Sequence, residues 1–330
     1  MAPHSKESST QETKEEFFEE KTEELNQKRE TALKNNKIII YITILALTYY
    51  HLAGFYGLYL TFKSVKWATI GLGFLLYFIG ILGVTAGAHR LWSHKSYKAK
   101  LPLQIILMLF QSVAFQKSKT VQSWVRDHRL HHKFSDTDGD PHNANRGFFF
   151  SHMGWLISVK TDEVIKGEKS IDISDIINNP VLRFQKKYAF YVIGICCFVL
   201  PTAIPMYFWG ETFNNAWHFN FLRFLLSLHM VFCINSVAHK WGYKPYDKNI
   251  LPAENAFFSF AVLGEGFHNY HHCFPWDYQT SELGNKALNF TTWFIDFCAG
   301  IGWAYDLKTA SEEVVKSRAD RTGDGKFRVQ

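Results

Sequence analysis

The sequence predicts an all-α integral membrane protein in which four transmembrane helices carry a cytoplasmic helical cap that holds a dimetal site. Three observations predict it. Stretches free of Lys, Arg, Asp and Glu recur at the length of a membrane span. Lys and Arg are segregated to the segments on one side of those stretches. Eight of the 15 histidines fall into three short clusters: His89 and His94; His128, His131 and His132; His268, His271 and His272.

Composition sets the outer limits. With 47% apolar and 17% aromatic residues in 330, the chain is neither disordered nor collagen-like. A net charge of +6 spread along the chain gives no nucleic acid a binding surface. Five cysteines are an odd number, and Cys196 and Cys197 sit in an apolar run, which predicts reduced thiols rather than a disulfide framework.

Residues 1–37 hold nine Glu and seven Lys or Arg, and predict a charged cytoplasmic tail without the basic-then-apolar order of a signal peptide. The membrane domain follows at 38–310. Its first span, 38–60, is 23 residues without Lys, Arg, Asp or Glu, and its second, 67–88, is 22. Each matches the ~20 residues that cross a bilayer as a helix, and residues 61–66 join them as a hairpin. The cap begins at 89–188, where Leu101–Phe115 reads as an interfacial or re-entrant helix. The third span, 189–210, contains Pro201 and Pro205, which neighbouring helices accommodate in a membrane. The fourth, 216–238, contains His218, Arg223 and His229, and a buried amphipathic helix is its alternative reading. The cap resumes at 239–310, and 311–330 is a polar C-terminal tail.

Loop charge orients the spans. Residues 89–188 carry sixteen Lys or Arg, whereas the 211–215 link carries none. Four crossings then place both termini and the cap in the cytoplasm. The sequon Asn289-Phe290-Thr291 is expected to stay unglycosylated on that side.

The histidines carry the chemistry. On a helix, residues i, i+3 and i+4 share a face, so each HxxHH cluster puts three imidazoles on one stripe. Imidazole is a ligand of iron, zinc and copper. His89 follows the second span and His239 follows the fourth, so both lie at one membrane depth and the other clusters can fold over them. A lone histidine is usually structural, which is the reading for His4, His51, His142, His152, His218 and His229. Nine gathered in this way suffice for two metals. The clusters hold neither the Glu-x-x-His pairs of soluble di-iron bundles nor a HExxH helix, and Asp127 is at most a partner to His128. An all-nitrogen dimetal site at a membrane surface suggests oxygen activation on a lipid chain.

At TAGAHRLWSH (85–94), WVRDHRLHH (124–132), GDPHNANRGFFFSHMGW (139–155), NSVAHKWGYKPYD (235–247) and GEGFHNYHHCFPWDY (264–278), the sequence resembles the membrane acyl-CoA desaturases of the stearoyl-CoA type. The resemblance runs from about 38 to 310, and DFCAGIGWAYDLKT (296–309) is similar to the insect branch, particularly moth pheromone-gland enzymes of Δ11 or Δ9 specificity. It implies two irons. One would take His89, His94, His128, His132 and His272; the other would take His131, His239, His268 and His271, with Asn235 reaching it through water. Zinc can occupy such sites in isolated protein. The resemblance further implies a fatty acyl-CoA substrate, O2, electrons from NADH through cytochrome b5 reductase and cytochrome b5, and residence in the endoplasmic reticulum membrane.

Arg126 and Asp127 match positions that contact the coenzyme A headgroup, and Trp124 matches one at the bend of the acyl tunnel. Lys160 is the remaining cation where the family usually has two. Lys117 stands where the family has Asn, and two extra residues lie between Gln116 and Trp124. Tyr77 and Ile81 lie twelve and eight residues before His89, roughly 18 and 12 Å along a helix, the depth expected of a tunnel floor. Leu251-Pro252-Ala253-Glu254 resembles a signature of moth desaturases whose last residue is Gln in the Δ11 group. A hydroxylase or conjugase on the same irons, and a membrane metal transporter, are the competing functions. The transporter would want polar ligands inside the spans.

Overall fold

The computed structural model describes residues 36–116, 120–281 and 289–326. The tail at 1–35, with His4, and the lysines 117 and 119 lie outside them. Helices α1 (Asn36–Thr61) and α2 (Trp67–Ser93) form a hairpin. Helices α3 (Leu101–Ala114), α4 (Val121–Phe134), α5 (Phe148–His152), α6 (Asp162–Lys169), α7 (Ser174–Ile177) and α8 (Pro180–Lys187) follow. A second hairpin, α9 (Ala189–Trp209) and α10 (Phe213–Ser236), leads to α11 (Ala256–Ala261), α12 (His268–Cys273), α13 (Phe290–Gly300) and α14 (Glu312–Thr322). Among the described residues the only sheet is the two-residue pair β1 (Lys98–Ala99) and β2 (Ala304–Tyr305). The chain is therefore all-α, and α1, α2, α9 and α10 are each long and apolar enough to cross a membrane. It is a multi-pass membrane protein.

Several span boundaries differ from the sequence reading: α1 covers 36–61 rather than 38–60, and α9 ends at 209 rather than 210. Helix α10 spans 213–236 rather than 216–238. Helix α2 runs five residues past 88, through His89 to Ser93. Protein rather than lipid surrounds that end, since every residue from Gly83 to Ser93 is buried, so polar side chains continue the helix there. Over this stretch the turns widen to π geometry, and the His94 N–H donates to the His89 carbonyl five residues back. In an α-helix two residues five apart point about 140° away from each other. The wider turn brings His89 and His94 onto one side.

Glycine lets the helices meet. A Cβ on Gly83 would lie 2.1 Å from the Gln111 nitrogen of α3, and one on Gly57 would lie 2.0 Å from the His218 carbonyl of α10. At the end of the hairpins away from the histidines, Glu211 accepts from the Lys66 N–H and the Thr69 hydroxyl, and the Lys66 ammonium donates to the carbonyls of Trp209 and Gly210.

Arg223, which made the fourth span ambiguous, has a backbone partner that the sequence supplies. Pro201 has no N–H to give the carbonyl four residues back, Cys197. That carbonyl accepts instead from Asn220 and Arg223 of α10, and the guanidinium also reaches the Val113 carbonyl. A buried cation is thereby satisfied by carbonyls inside the bundle.

The C-terminal segment is more than a polar tail. Helix α14 buries Val315 and Ala319 against Tyr246, Tyr270 and Phe274, behind α12. Asn289 of the sequon is fully buried and donates to the Gln279 carbonyl, so its modification state would not read topology.

Close glycine contact gives a stability test. Gly83→Ala should cost about 1–3 kcal/mol through overpacking. Gly71, with nothing within 4 Å of its would-be Cβ, should accept Ala with no loss. Thermal unfolding of the detergent-purified variants measures both.

Candidate metal centre

Two arginines set the three clusters against one another. Arg90, fully buried beside His89, donates to Glu265 just ahead of the third cluster, to the Tyr278 carbonyl and to Thr292. Arg129, inside the second cluster, donates to the carbonyls of Trp92 and Ser93 at the end of α2 and pairs with Asp175. His239 leaves the end of α10 at the same level. Each arginine thus occupies a position within a histidine cluster and reaches a neighbouring segment.

All nine predicted histidines converge, in two groups. His89, His94, His128, His132 and His271 bring five ring nitrogens within 4.8 Å of one another, and His131, His239, His268 and His272 bring four. The expected partition is corrected at one pair: His271 joins the first group and His272 the second. His271 Nε2 lies 2.9 Å from His89 Nε2 and 3.0 Å from His132 Nε2, which places it firmly in the first. The rule is the same in both HxxHH helices. Residues i and i+4 stay together and residue i+3 crosses to the other group, because on a helix i+3 and i+4 flank residue i about 100° apart.

Ring nitrogens approach one another closely in both groups. Other close pairs are His94 Nε2 with His128 Nε2 at 2.8 Å and His239 Nε2 with His268 Nε2 at 2.9 Å. Three rings have a carboxylate beside the opposite nitrogen: Glu265 lies 2.8 Å from His89 Nδ1, Asp140 2.8 Å from His131 Nδ1 and Asp136 3.0 Å from His239 Nδ1. A carboxylate there holds the ring proton on Nδ1 and leaves Nε2 as a bare donor atom. His272 Nε2 is buried with no hydrogen-bond partner.

Electrostatics keeps most of these rings neutral. Burial, followed by the neighbouring histidines, pushes His94, His128, His132, His268, His271 and His272 well below the usual imidazole range. Burial is also the largest influence on His131, but the charge and hydrogen bond of Asp140 together with the charge of Asp136 outweigh it, and the net shift is upward. The carboxylates move the other way. Burial opposes ionisation of Glu265, and His89 and Arg90 overcome it, so the group stays below its ordinary value. Desolvated imidazoles in sets of five and four fit a pair of first-row transition-metal ions.

Several residues here escaped the sequence reading. Asp136, Asp140 and Glu265 were legible only as acids near histidine clusters. His142 lies buried against His131 and Asp140, where burial pushes its pKa down to about 3. Asp127 does not meet His128 as a ring partner; it pairs with Arg126 at 2.7 Å. His51 has the structural role expected of it: its Nε2 lies 3.0 Å from His229 Nε2, whose Nδ1 lies 2.9 Å from His152 Nε2. This file ties α1, α10 and α5.

Some of the remaining predicted residues line a small cavity beside the first group. Trp124 stacks on His128 with ring centres 4.8 Å apart, and Trp124, Asp127, His128 and Asn235 line the cavity. Arg126 and Lys160 both pair with Glu168. Below, Ile81 is fully buried in a cluster with Phe258, Val262 and Leu263, and the Tyr77 hydroxyl donates to the Ala261 carbonyl.

The family model for fatty acid desaturases matches residues 65–285. The chain is 64% identical over 287 residues to an acyl-CoA Δ11 desaturase of Choristoneura rosaceana, covering 87% of this chain and 85% of that one. It is 58% identical over 290 residues to a (11Z)-hexadec-11-enoyl-CoA conjugase of Bombyx mori, covering 88% and 87%. To an acyl-CoA Δ9 desaturase of Acheta domesticus it is 52% identical over 292 residues, covering 88% and 81%.

Removing a ring's carboxylate partner should weaken metal retention by roughly ten- to a hundredfold. Asp136→Asn and Asp140→Asn, dialysed against a chelator and assayed by elemental mass spectrometry, should both lose metal faster than the unaltered chain. Equal retention would separate these carboxylates from the metals.

Proposed function

The chain belongs to the fatty acid desaturase family, and we propose that it is a di-iron acyl-CoA desaturase of the endoplasmic reticulum membrane, with both termini and the cap cytoplasmic. The observation that carries this reading is the meeting of nine imidazoles, in groups of five and four, at the ends of α2 and α10. The substrate is a long-chain fatty acyl-CoA, and the product serves fatty acid or sex-pheromone precursor synthesis. Overall, R–CH2–CH2–R′, O2, two electrons and two protons give R–CH=CH–R′ and two waters. The electrons come from NADH through cytochrome b5 reductase and cytochrome b5.

An unactivated methylene has no acidity for a side-chain base to use. When bound, the iron pair supplies an oxidant derived from O2 that is strong enough for C–H abstraction. The rest is positioning by the chain. His89, His94, His128, His132 and His271 would hold one iron; His131, His239, His268 and His272 would hold the other, with Asn235 beside them through water. Glu265, Asp140 and Asp136 keep His89, His131 and His239 aimed.

At the cap surface, Arg126 and Lys160 share Glu168, so the coenzyme A phosphates compete with that carboxylate for both cations. Trp124, stacked on His128, turns the acyl chain past the metals, and Ile81 and Tyr77 close its far end. The double-bond position is then counted from the thioester, whereas the floor sets chain length. Ligands at the ends of the spans rather than within them speak against a metal transporter. A hydroxylase or conjugase would differ only in products.

Expression in a desaturase-deficient yeast tests the reading. Ala at any of the nine histidines should abolish unsaturated products while the protein still inserts. His218→Ala, whose ring meets only its own helix carbonyl at Asn214 and the Tyr56 ring, should keep them. Oxygenated products in place of alkenes would make the enzyme a hydroxylase, and activity surviving in several histidine variants would end the assignment.

Chain length is a separate test. Ile81→Ala should admit longer acyl chains and Ile81→Phe should favour shorter ones. At about 0.8 kcal/mol per buried methylene, each carbon changes selectivity several-fold. Product profiles from cells fed C14, C16 and C18 acids read this out, and unchanged preference in both variants would remove Ile81 from the tunnel floor.

A further inference from the structure

We propose that Glu254 is a positioning residue of the metal centre: its side chain sets the rotation of α12, and so decides which metal group His271 and His272 each face. This rests on reading the two histidine groups as a dimetal site. Helix α12 has six residues, fewer than two turns, and its propensity alone cannot orient it. Yet its orientation matters more than that of any other segment. His271 and His272 point about 100° apart, and a rotation of α12 would withdraw one ligand from each group at once.

Two consecutive residues of α12 are fastened to one loop. Glu254 is 1% exposed, and its Oε1 accepts the Tyr270 N–H at 2.7 Å. That amide lies in the first turn, where the helix supplies no acceptor of its own. Asn269, one residue earlier, accepts from the N–H groups of Tyr246 and Asp247 and donates to the carbonyls of Asp247 and Pro252. The Glu254 backbone is itself fixed. It is bridged to Tyr243 on one side and on the other to Phe267, the residue preceding α12. The carboxylate therefore cannot follow the helix if α12 turns.

The side chain points at a backbone amide of a metal-binding helix, not at the cavity or the Ile81 cluster. Position 254 thus governs how the metals are held. Gln carries the same Oε1 acceptor and should serve equally. Ala or Leu leaves a buried N–H unpaired and frees the rotation.

The test uses full-length chain, Glu254→Gln, Glu254→Ala and Glu254→Leu, purified from iron-supplemented cells. Metal per chain is read by elemental mass spectrometry before and after chelator dialysis, and double-bond position is read by mass spectrometry of products. Glu254→Gln should keep the metal content and the double-bond position of the unaltered chain. Glu254→Ala should lose metal roughly tenfold faster; Glu254→Leu, which fills the space without an acceptor, should do the same and serves if Ala does not fold. Retention of metal by a folded Ala or Leu variant would overturn the proposal, as would loss from Gln equal to that from Ala. A shifted double bond with metal unchanged would also overturn it, by placing residue 254 on the acyl path. An unaltered chain that binds no metal pair would instead overturn the dimetal reading itself.

Discussion

Imidazole nitrogens crowded with their lone pairs inward repel one another unless a cation lies among them, and this constraint organises the molecule. His271 Nε2 lies 2.9 Å from His89 Nε2 and 3.0 Å from His132 Nε2, and His239 Nε2 lies 2.9 Å from His268 Nε2. Burial denies His132, His239, His268 and His271 the alternative of charging. Nearly every other feature of the cap supplies either the crowding or the neutrality that makes the crowding useful.

The crowding is built from both sides of the membrane boundary. Helices α2 and α10 deliver His89 and His239 to one level. The widened turns of α2 bring His94 alongside His89, and Arg90 and Arg129 fasten the second and third clusters around them. Glu265 serves twice, pairing with Arg90 and fixing the His89 ring. A buried pair of this kind contributes little net stability but is costly to break. Its value here lies in geometry. The membrane helices make a parallel provision, since the carbonyl that Pro201 leaves free is the one that Arg223 and Asn220 use.

Much of this was legible in the sequence, for identifiable reasons. Charge-free runs announce spans because hydrocarbon tolerates no unpaired charge. The HxxHH spacing announces a ligand stripe because it matches the helical repeat. What stayed hidden depends on rotation and on contacts distant in the chain. Whether His271 or His272 joins the first group turns on the orientation of a six-residue helix, which is set by Asn269 and Glu254 through a loop some twenty residues earlier. The π turns of α2 have no signature in composition. Asp136, Asp140 and Glu265 were visible as acids, but their partners were not. The residues 311–330 read as a tail because α14 has only Val315 and Ala319 to bury, and the surface that receives them belongs to the third cluster.

In the proposed centre each metal would be held by imidazole nitrogen, with carboxylates confined to the far side of the rings. X-ray absorption at the iron edge of the purified chain tests this most directly. The account predicts two irons per chain in nitrogen-dominated shells bearing the multiple-scattering pattern of imidazole. Shells dominated by carboxylate oxygen, or a single iron per chain in folded protein, would contradict it.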